Sequence, residues 1–347
     1  IDTDRFKTNY FSISFALPIT KETAPLSALL PKVLMRGCEK YPDMEQISKR
    51  LDDLYAADLY PRVFGRGETQ FFGLAAGMLK NRFAQDGTDI EAGVFELFEQ
   101  LLFHPLLENG VFKKEVVENE KKQIISRIRA QKNDKRRYAL KRCEEEMCAG
   151  EPYGVPTFGY EEDVEKITPE SLYAFYRTVL SQARCVVFFV GHTDTKQLKS
   201  RLEALFAAYQ PAPPAPYTCE VLRTAGKVKE VTDRMAVEQS KLTLGFRTGT
   251  ILADGNWHVF SVFLEIFGLS PSSKLFLNVR EKLSLCYYCS CSAEPHKGIM
   301  LVYSGIAAEN KERAQAEILT QLKAIQQAQI TDTELKTAKL AVINAYR

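Results

Sequence analysis

The chain has 347 residues, 45% of them hydrophobic and 26% charged, with a formal net charge of +2. That length exceeds one ordinary core and implies two domains, and the near balance of charge gives no general pull toward nucleic acid or anionic lipid. No apolar run reaches the length needed to span a membrane, so neither nucleic acid nor a membrane is expected as a partner.

Taken in order, "YFSISFALPI" reads as a first strand and "SALLPKVLMRGCEKYPD" (27–43) as an amphipathic helix running into a turn. Leu29, Leu30, Val33 and Leu34 form its apolar stripe and Gly37 is the expected stop. Pro31 interrupts the pattern by removing a backbone donor, and Lys32 is the only residue on the helix with chemistry to offer. A second helix, "DMEQISKRLDDLYAA", and a hairpin around "LYPRVFGRGETQFFGLAAG" follow, then long helices from "DIEAGVFELFEQLLFHPLL" to "KKEVVENEKKQIISRIRAQ". Further helices, the strand "ARCVVFFVG" and the helix "DTKQLKSRLEALFAAY" close this half.

Four prolines in "AAYQPAPPAPYTCE" (207–220) mark a stiff connector. The expected division is a domain over 1–209, a linker over 210–220 and a second domain over 221–347. The second half repeats the first: strand "SKLTLGFRTG", helices "NWHVFSVFLEIFG" and "SKLFLNVREKL", hairpin "LCYYCSCSAEPHKGIMLVYSGIA", then a long helical pair. The first half goes on past the matching point to a final strand and helix, so the second domain is expected to be truncated at its C-terminus here. The fold class expected is α+β, each domain an antiparallel-rich sheet with helices packed on one face.

Other features carry weaker signals. "GRGETQ" has glycines but lacks the phosphate-binding spacing. The basic run "RIRAQKNDKRRYALKR" lies beside "CEEEMCAGE" and reads as a solvated helix face. Ser272 and Ser273 stand at a helix start, where capping is the simpler role. The eight cysteines are expected as reduced thiols in a cytoplasmic protein. In "LCYYCSCSA", read as a strand, Cys289 and Cys291 fall on one face and Cys286 on the other, as small core-filling side chains.

With the repeat in view, "SALLPKVLMRGCEKYPDMEQISKRLDDLYAA" resembles the opening of a peptidase of family M16, the insulinase-like and mitochondrial-processing-peptidase-like zinc peptidases, of M16B type. The resemblance implies two homologous domains of the LuxS/MPP-like metallohydrolase type and a bacterial source. The family places an inverted His-x-x-Glu-His zinc motif on the first helix. Anchored at Gly37, the two histidine positions fall on Ala28 and Lys32 and the catalytic glutamate on Pro31. The third ligand, a glutamate seven residues after another glutamate, falls on Arg127, with the earlier one kept as Glu120. Ala, Lys and Arg offer no usable donor at neutral pH, and two cations would repel the metal. No metal is therefore expected on this chain, and zinc is expected in a partner subunit.

"SSKLFLNVREKLSLCYY" is similar to the family segment in which an arginine is followed seven residues later by a tyrosine, here Arg280 and Tyr287. In active relatives that pair serves a zinc site on the other half. The strand "FFGLAAG" (71–77) takes the position of the edge strand that pairs with extended substrate in the family. The resemblance implies a zinc-less subunit that pairs with a zinc-bearing homologue, or associates with itself, and lends Arg280 and Tyr287 to peptide cleavage. Two alternatives stand beside it: an inactive scaffold or peptide-binding protein, and redox or metal chemistry at Cys286, Cys289 and Cys291.

Overall fold

The computed structural model describes residues 1–207 and 219–347, so most of the expected 210–220 linker lies outside the described residues. These residues form two compact units, one of residues 1–129 and 155–207, the other of 130–154 and 219–347.

The first unit begins with β1 (Thr8–Pro18), which turns Phe11, Ile13 and Phe15 into the core. α1 (Thr23–Leu34) starts where Thr20 and Thr23 cap each other, each backbone N–H donating to the other's Oγ1 at 3.2 and 3.1 Å. The helix ends at Leu34, ahead of the expected stop at Gly37. Gly37 answers a different need: a Cβ there would lie 2.6 Å from the Pro42 carbonyl oxygen, so the turn closes only around a glycine. Asp43 then caps α2 (Met44–Asp53) by accepting from the Gln46 N–H.

β2 (Asp58–Arg66) and β3 (Thr69–Leu79) form a hairpin with Gly67 and Glu68 at its tip. α3 (Ile90–Phe103), the short pair β4 (Leu107–Glu108) and β5 (Val111–Phe112), and α4 (Lys114–Gln131) follow. After α5 (Lys135–Met147), which belongs to the second unit, come α6 (Glu161–Glu165), α7 (Pro169–Gln182), β6 (Arg184–Val190) and α8 (Thr195–Leu205).

The first sheet has the order β2-β3-β1-β6 with every pair antiparallel. Its core joins Phe11 and Ile13 of β1 to Leu29 and Leu30 of α1, Phe72 and Leu74 of β3, and Phe98 of α3, all fully buried. The 71–77 segment is part of β3, an internal strand. The edges are β2 and β6, β2 being the strand of the hairpin that lies outside β3 while β1 takes the inner side.

In the second unit, β7 (Ser240–Arg247) is followed by α9 (Trp257–Leu264), the π-helical turn Glu265–Leu269 and the π-helical segment Leu275–Lys282. Ser273 caps that segment, its Oγ accepting from the Phe276 N–H at 3.3 Å. Then come β8 (Cys286–Glu294), β9 (Ile299–Ile306), α10 (Lys311–Gln326) and α11 (Asp332–Ala345), the last opened by a Thr331–Glu334 capping box. The sheet order β8-β9-β7 repeats β2-β3-β1, so the internal repeat holds at the level of topology. Phe267, Leu275, Val279, Val302 and Ile318 form a separate, smaller core.

The segment 130–154 was expected with the first domain but packs in the second unit. α5 docks on β7, where Gly245 leaves room: a Cβ there would meet Met147 Sδ at 2.7 Å and Cys143 Sγ at 3.2 Å. Nor is the basic run only a solvated face, since the Arg136 guanidinium lies 5.1 Å and 4.7 Å from the rings of Tyr288 and Tyr303. Beyond α5, the Glu151 carboxylate accepts from Arg247 and from Lys297, the latter at 2.7 Å. All three side chains are at most 10% exposed. Burial alone would raise the Glu151 pKa, but hydrogen bonds from Arg247 and Lys297 outweigh it and hold it below the ordinary value.

Glu151→Gln strands two buried cations and should cost about 3–5 kcal/mol at neutral pH, read from urea midpoints. Because the folded pKa is depressed, the carboxylate's contribution is complete above about pH 4.5 and fades as pH falls through the lower folded value. The gap between variant and parent should therefore narrow in acid. An unchanged midpoint at pH 7 would show that this ion cluster does not hold 130–154 in place.

Candidate functional site

α1 is apolar nearly all round, with nine of its twelve residues buried, among them Ala28, Leu29, Leu30, Pro31 and Val33. A helix of that kind belongs inside a core. Lys32 is its one charged residue and is half-buried, so its ammonium has to reach water along an apolar stem. It reaches a cavity of about 420 Å³ lined also by Pro61, Arg62, Val63, Phe64 and Arg66 of β2, by Arg127 of α4 and by Phe158.

Four cations line this cavity and no acid does. The Arg127 guanidinium lies 4.4 Å from the Phe158 ring centroid, and those of Arg62 and Arg66 lie 4.8 Å and 5.6 Å from that of Phe64. Arg62 also donates to the Tyr10 hydroxyl. Among the described residues no carboxylate pairs with Lys32, Arg62, Arg66 or Arg127. The nearby acid of α4, Glu120, is 3% exposed and is taken up by Arg36, whose Nε donates to it at 2.6 Å.

Of the four degenerate zinc-motif positions, the structure thus brings Lys32 and Arg127 to one cavity and leaves Ala28 and Pro31 in the core. Arg62 and Arg66 escaped the sequence reading. Their signal was the alternation of "YPRVFGR", which sets Tyr60, Arg62, Phe64 and Arg66 on one face of a strand. Zinc does not fit these residues: the positions offer cations and aliphatic side chains where the metal needs N, O or S donors. Among the described residues no three His, Cys, Asp or Glu side chains gather to hold a metal.

In the second unit, Arg280 sits on the segment Leu275–Lys282 with its guanidinium 4.6 Å from the Phe276 ring centroid and 3.5 Å from the Glu281 carboxylate, its side chain 40% exposed. Tyr287 is the odd residue of a β-bulge. Cys286 stands opposite Ile306 and Tyr288 opposite Gly305, which leaves Tyr287 unpaired in the ladder and 60% exposed.

The bulge also corrects the cysteine faces. Cys286, Cys289 and Cys291 oppose Ile306, Ser304 and Val302, so all three share one face. A hydrogen bond from the Cys289 thiol, helped by Ser304 and the Arg280 charge, draws the Cys286 thiol down to about 7 against the effect of burial. Cys289 is pushed up by that same hydrogen bond and by burial, and burial pushes Cys291 up to about 12.

Two α+β units of matching strand order have the architecture of a zinc-peptidase fold, with Lys32 and Arg127 at positions that the family resemblance gives to metal ligands. Residues 166–342 match the family described as the peptidase M16 inactive domain. The "Probable inactive metalloprotease YmfF" of Bacillus subtilis (strain 168) is 31% identical over 355 residues, covering 99% of this chain and 80% of that protein. A conserved protein from Enterococcus faecalis V583, seen in a crystal structure, superimposes with a TM-score of 0.92 at 27% identity, covering 100% of this chain and 81% of that one. The peptidase M16 inactive domain from Pseudomonas fluorescens shares the fold, with a TM-score of 0.80 at 19% identity over 99% of this chain and 80% of that one. The chain belongs to peptidase family M16 and is a non-catalytic M16-like protein.

The thiol arrangement gives a direct check. Iodoacetamide should alkylate Cys286 with half-maximal rate near pH 7, while Cys289 and Cys291, buried and raised, react only on unfolding. Mass spectrometry of the labelled peptides reads both. Labelling of Cys286 that rises only near pH 9 would refute the hydrogen-bonded pair.

Proposed function

We propose that this chain is the accessory half of a two-chain M16 peptidase, pairing with a zinc-bearing homologue and supplying Arg280 and Tyr287 to peptide binding and transition-state stabilisation. The observation that carries this reading is that the fold leaves both side chains unspent. Tyr287 is bulged out of its ladder, and among the described residues Arg280 pairs with no carboxylate but that of its sequence neighbour Glu281. Arginine holds a peptide carbonyl through its fixed fork, and a tyrosine hydroxyl donates to the oxyanion that forms when water attacks. The paired enzyme would act on peptides, and zinc would be held by the other chain. Cytoplasmic residence belongs to the same proposal and is supported by eight free cysteines, which suit a reducing compartment.

Cleavage of a mixed peptide library should require this chain together with a His-x-x-Glu-His homologue from the same source. Arg280→Ala should then lower turnover of the mixture by about 10²–10³-fold while the two chains still co-elute. Full activity of that mixture would sink the role given to Arg280. Failure of the parent chains to associate or cleave would leave a binding scaffold, with self-association read from the chain's own elution volume.

A further inference from the structure

The cavity beside α1 holds an imbalance of charge that the fold does not resolve. Lys32, Arg62, Arg66 and Arg127 line about 420 Å³ without an acid among them, although the buried carboxylate of Glu120 stands on the same helix as Arg127. That carboxylate is committed to Arg36. Like charges gathered on apolar walls focus a positive potential and destabilise one another until a counter-charge arrives. We propose that this cavity binds the carboxylates of an acidic peptide segment.

Three features select that ligand. The arginines lie beside the rings of Phe64 and Phe158, and apart from the bond of Arg62 to Tyr10 their planar forks are available for bidentate contact with a carboxylate. The wall that carries Arg62 and Arg66 is β2, an edge strand of its sheet, along which an extended chain can lie. Arg62 and Arg66 are four residues apart on one face of that strand, a separation of about 13 Å that an extended peptide repeats with acids at every second or fourth position. A nucleotide fits poorly, because the aromatic faces that would stack a base are covered by guanidinium groups. No glycine-rich loop or helix N-terminus contributes to the lining.

This assignment goes beyond the pairing reading and does not rest on it: it requires neither a partner chain nor Arg280 and Tyr287. The test uses the full chain alone and a ten-residue peptide of alternating glutamate, acetylated, amidated and carrying an uncharged fluorophore. Its glutamine counterpart is the reference, and polarisation is read at low and at moderate salt. The glutamate peptide should bind at least about tenfold more tightly than the glutamine one. Lys32→Gln with Arg127→Gln should weaken it by about tenfold or more and flatten the salt dependence. Lys122→Gln, which removes one positive charge from α4 outside the cavity, should leave binding as it is.

Neither substitution removes an ion pair, so the melting temperature should not fall. Should it fall, Arg66→Gln on exposed β2 replaces the double variant, and a weakening of severalfold or more then supports the assignment. Equal binding of the two peptides, or a cavity variant that binds like the parent, overturns it. Binding of inorganic phosphate at millimolar concentration with no binding of the glutamate peptide also overturns it and marks a phosphate site instead.

Discussion

A charge on a helix otherwise enclosed by side chains has to reach water or a counter-charge, because an isolated ion in an apolar interior is too costly. In α1 that charge is Lys32, and the constraint shapes everything around it. The cavity has to open where Lys32 emerges, and the residues it meets there are three arginines rather than an acid. The same helix supplies Ala28, Leu29, Leu30 and Val33 to the first core. Truncating either leucine would cost about 2–5 kcal/mol, so the helix is fixed by packing whether or not its surface positions can ligate a metal. Loss of zinc chemistry and retention of the zinc-peptidase frame are therefore compatible. Of the motif positions, Lys32 and Arg127 reach the cavity while Ala28 and Pro31 pack in the core, and the frame is the core itself.

The β8 bulge plays the corresponding part in the second unit. One extra residue in the strand does two things at once. It pushes Tyr287 out of the ladder into solvent, and it brings Cys286 to the face of Cys289 and Cys291. The exposure of Tyr287 and the shared face of the cysteines are thus two consequences of one backbone irregularity. Their chemistry differs sharply. Cys289 and Cys291 are buried thiols whose pKa values are raised, which makes them inert packing groups, whereas Cys286 shares its hydrogen bond and the charge of Arg280 and is the one poised thiol.

Much of this was legible in the chain. The repeat of strand, helices and hairpin gave two units whose sheets match as β2-β3-β1 and β8-β9-β7, because hairpin order follows from contiguous sequence. The residue types at Ala28, Pro31, Lys32 and Arg127 were readable, but only the fold puts Lys32 and Arg127 on one cavity and buries Ala28 and Pro31. What failed to show was non-local. The edge position passed from 71–77 to β2 because it depends on which side β1 joins. The bulge at Tyr287 broke the period of two that placed Cys286, and no local residue announces it. The pull of 130–154 into the second unit rests on Glu151 meeting Arg247 and Lys297, residues about a hundred or more positions away. Arg62 and Arg66 were visible as an alternating pair, but only the fold sets them beside Lys32.

Together the two units define what kind of protein this is. The positions that the family resemblance gives to the metal carry a lysine, an arginine and an alanine, so on the pairing proposal the attacking water is activated on the other chain. What the two units present at these positions is a set of hydrogen-bond donors. Lys32, Arg62, Arg66 and Arg127 in one unit, and Arg280 and Tyr287 in the other, can all donate hydrogen bonds. Such groups recognise carbonyl and carboxylate oxygens and stabilise negative charge, but cannot create a nucleophile. On the pairing proposal, this set of donors holds the peptide while cleavage begins on the partner.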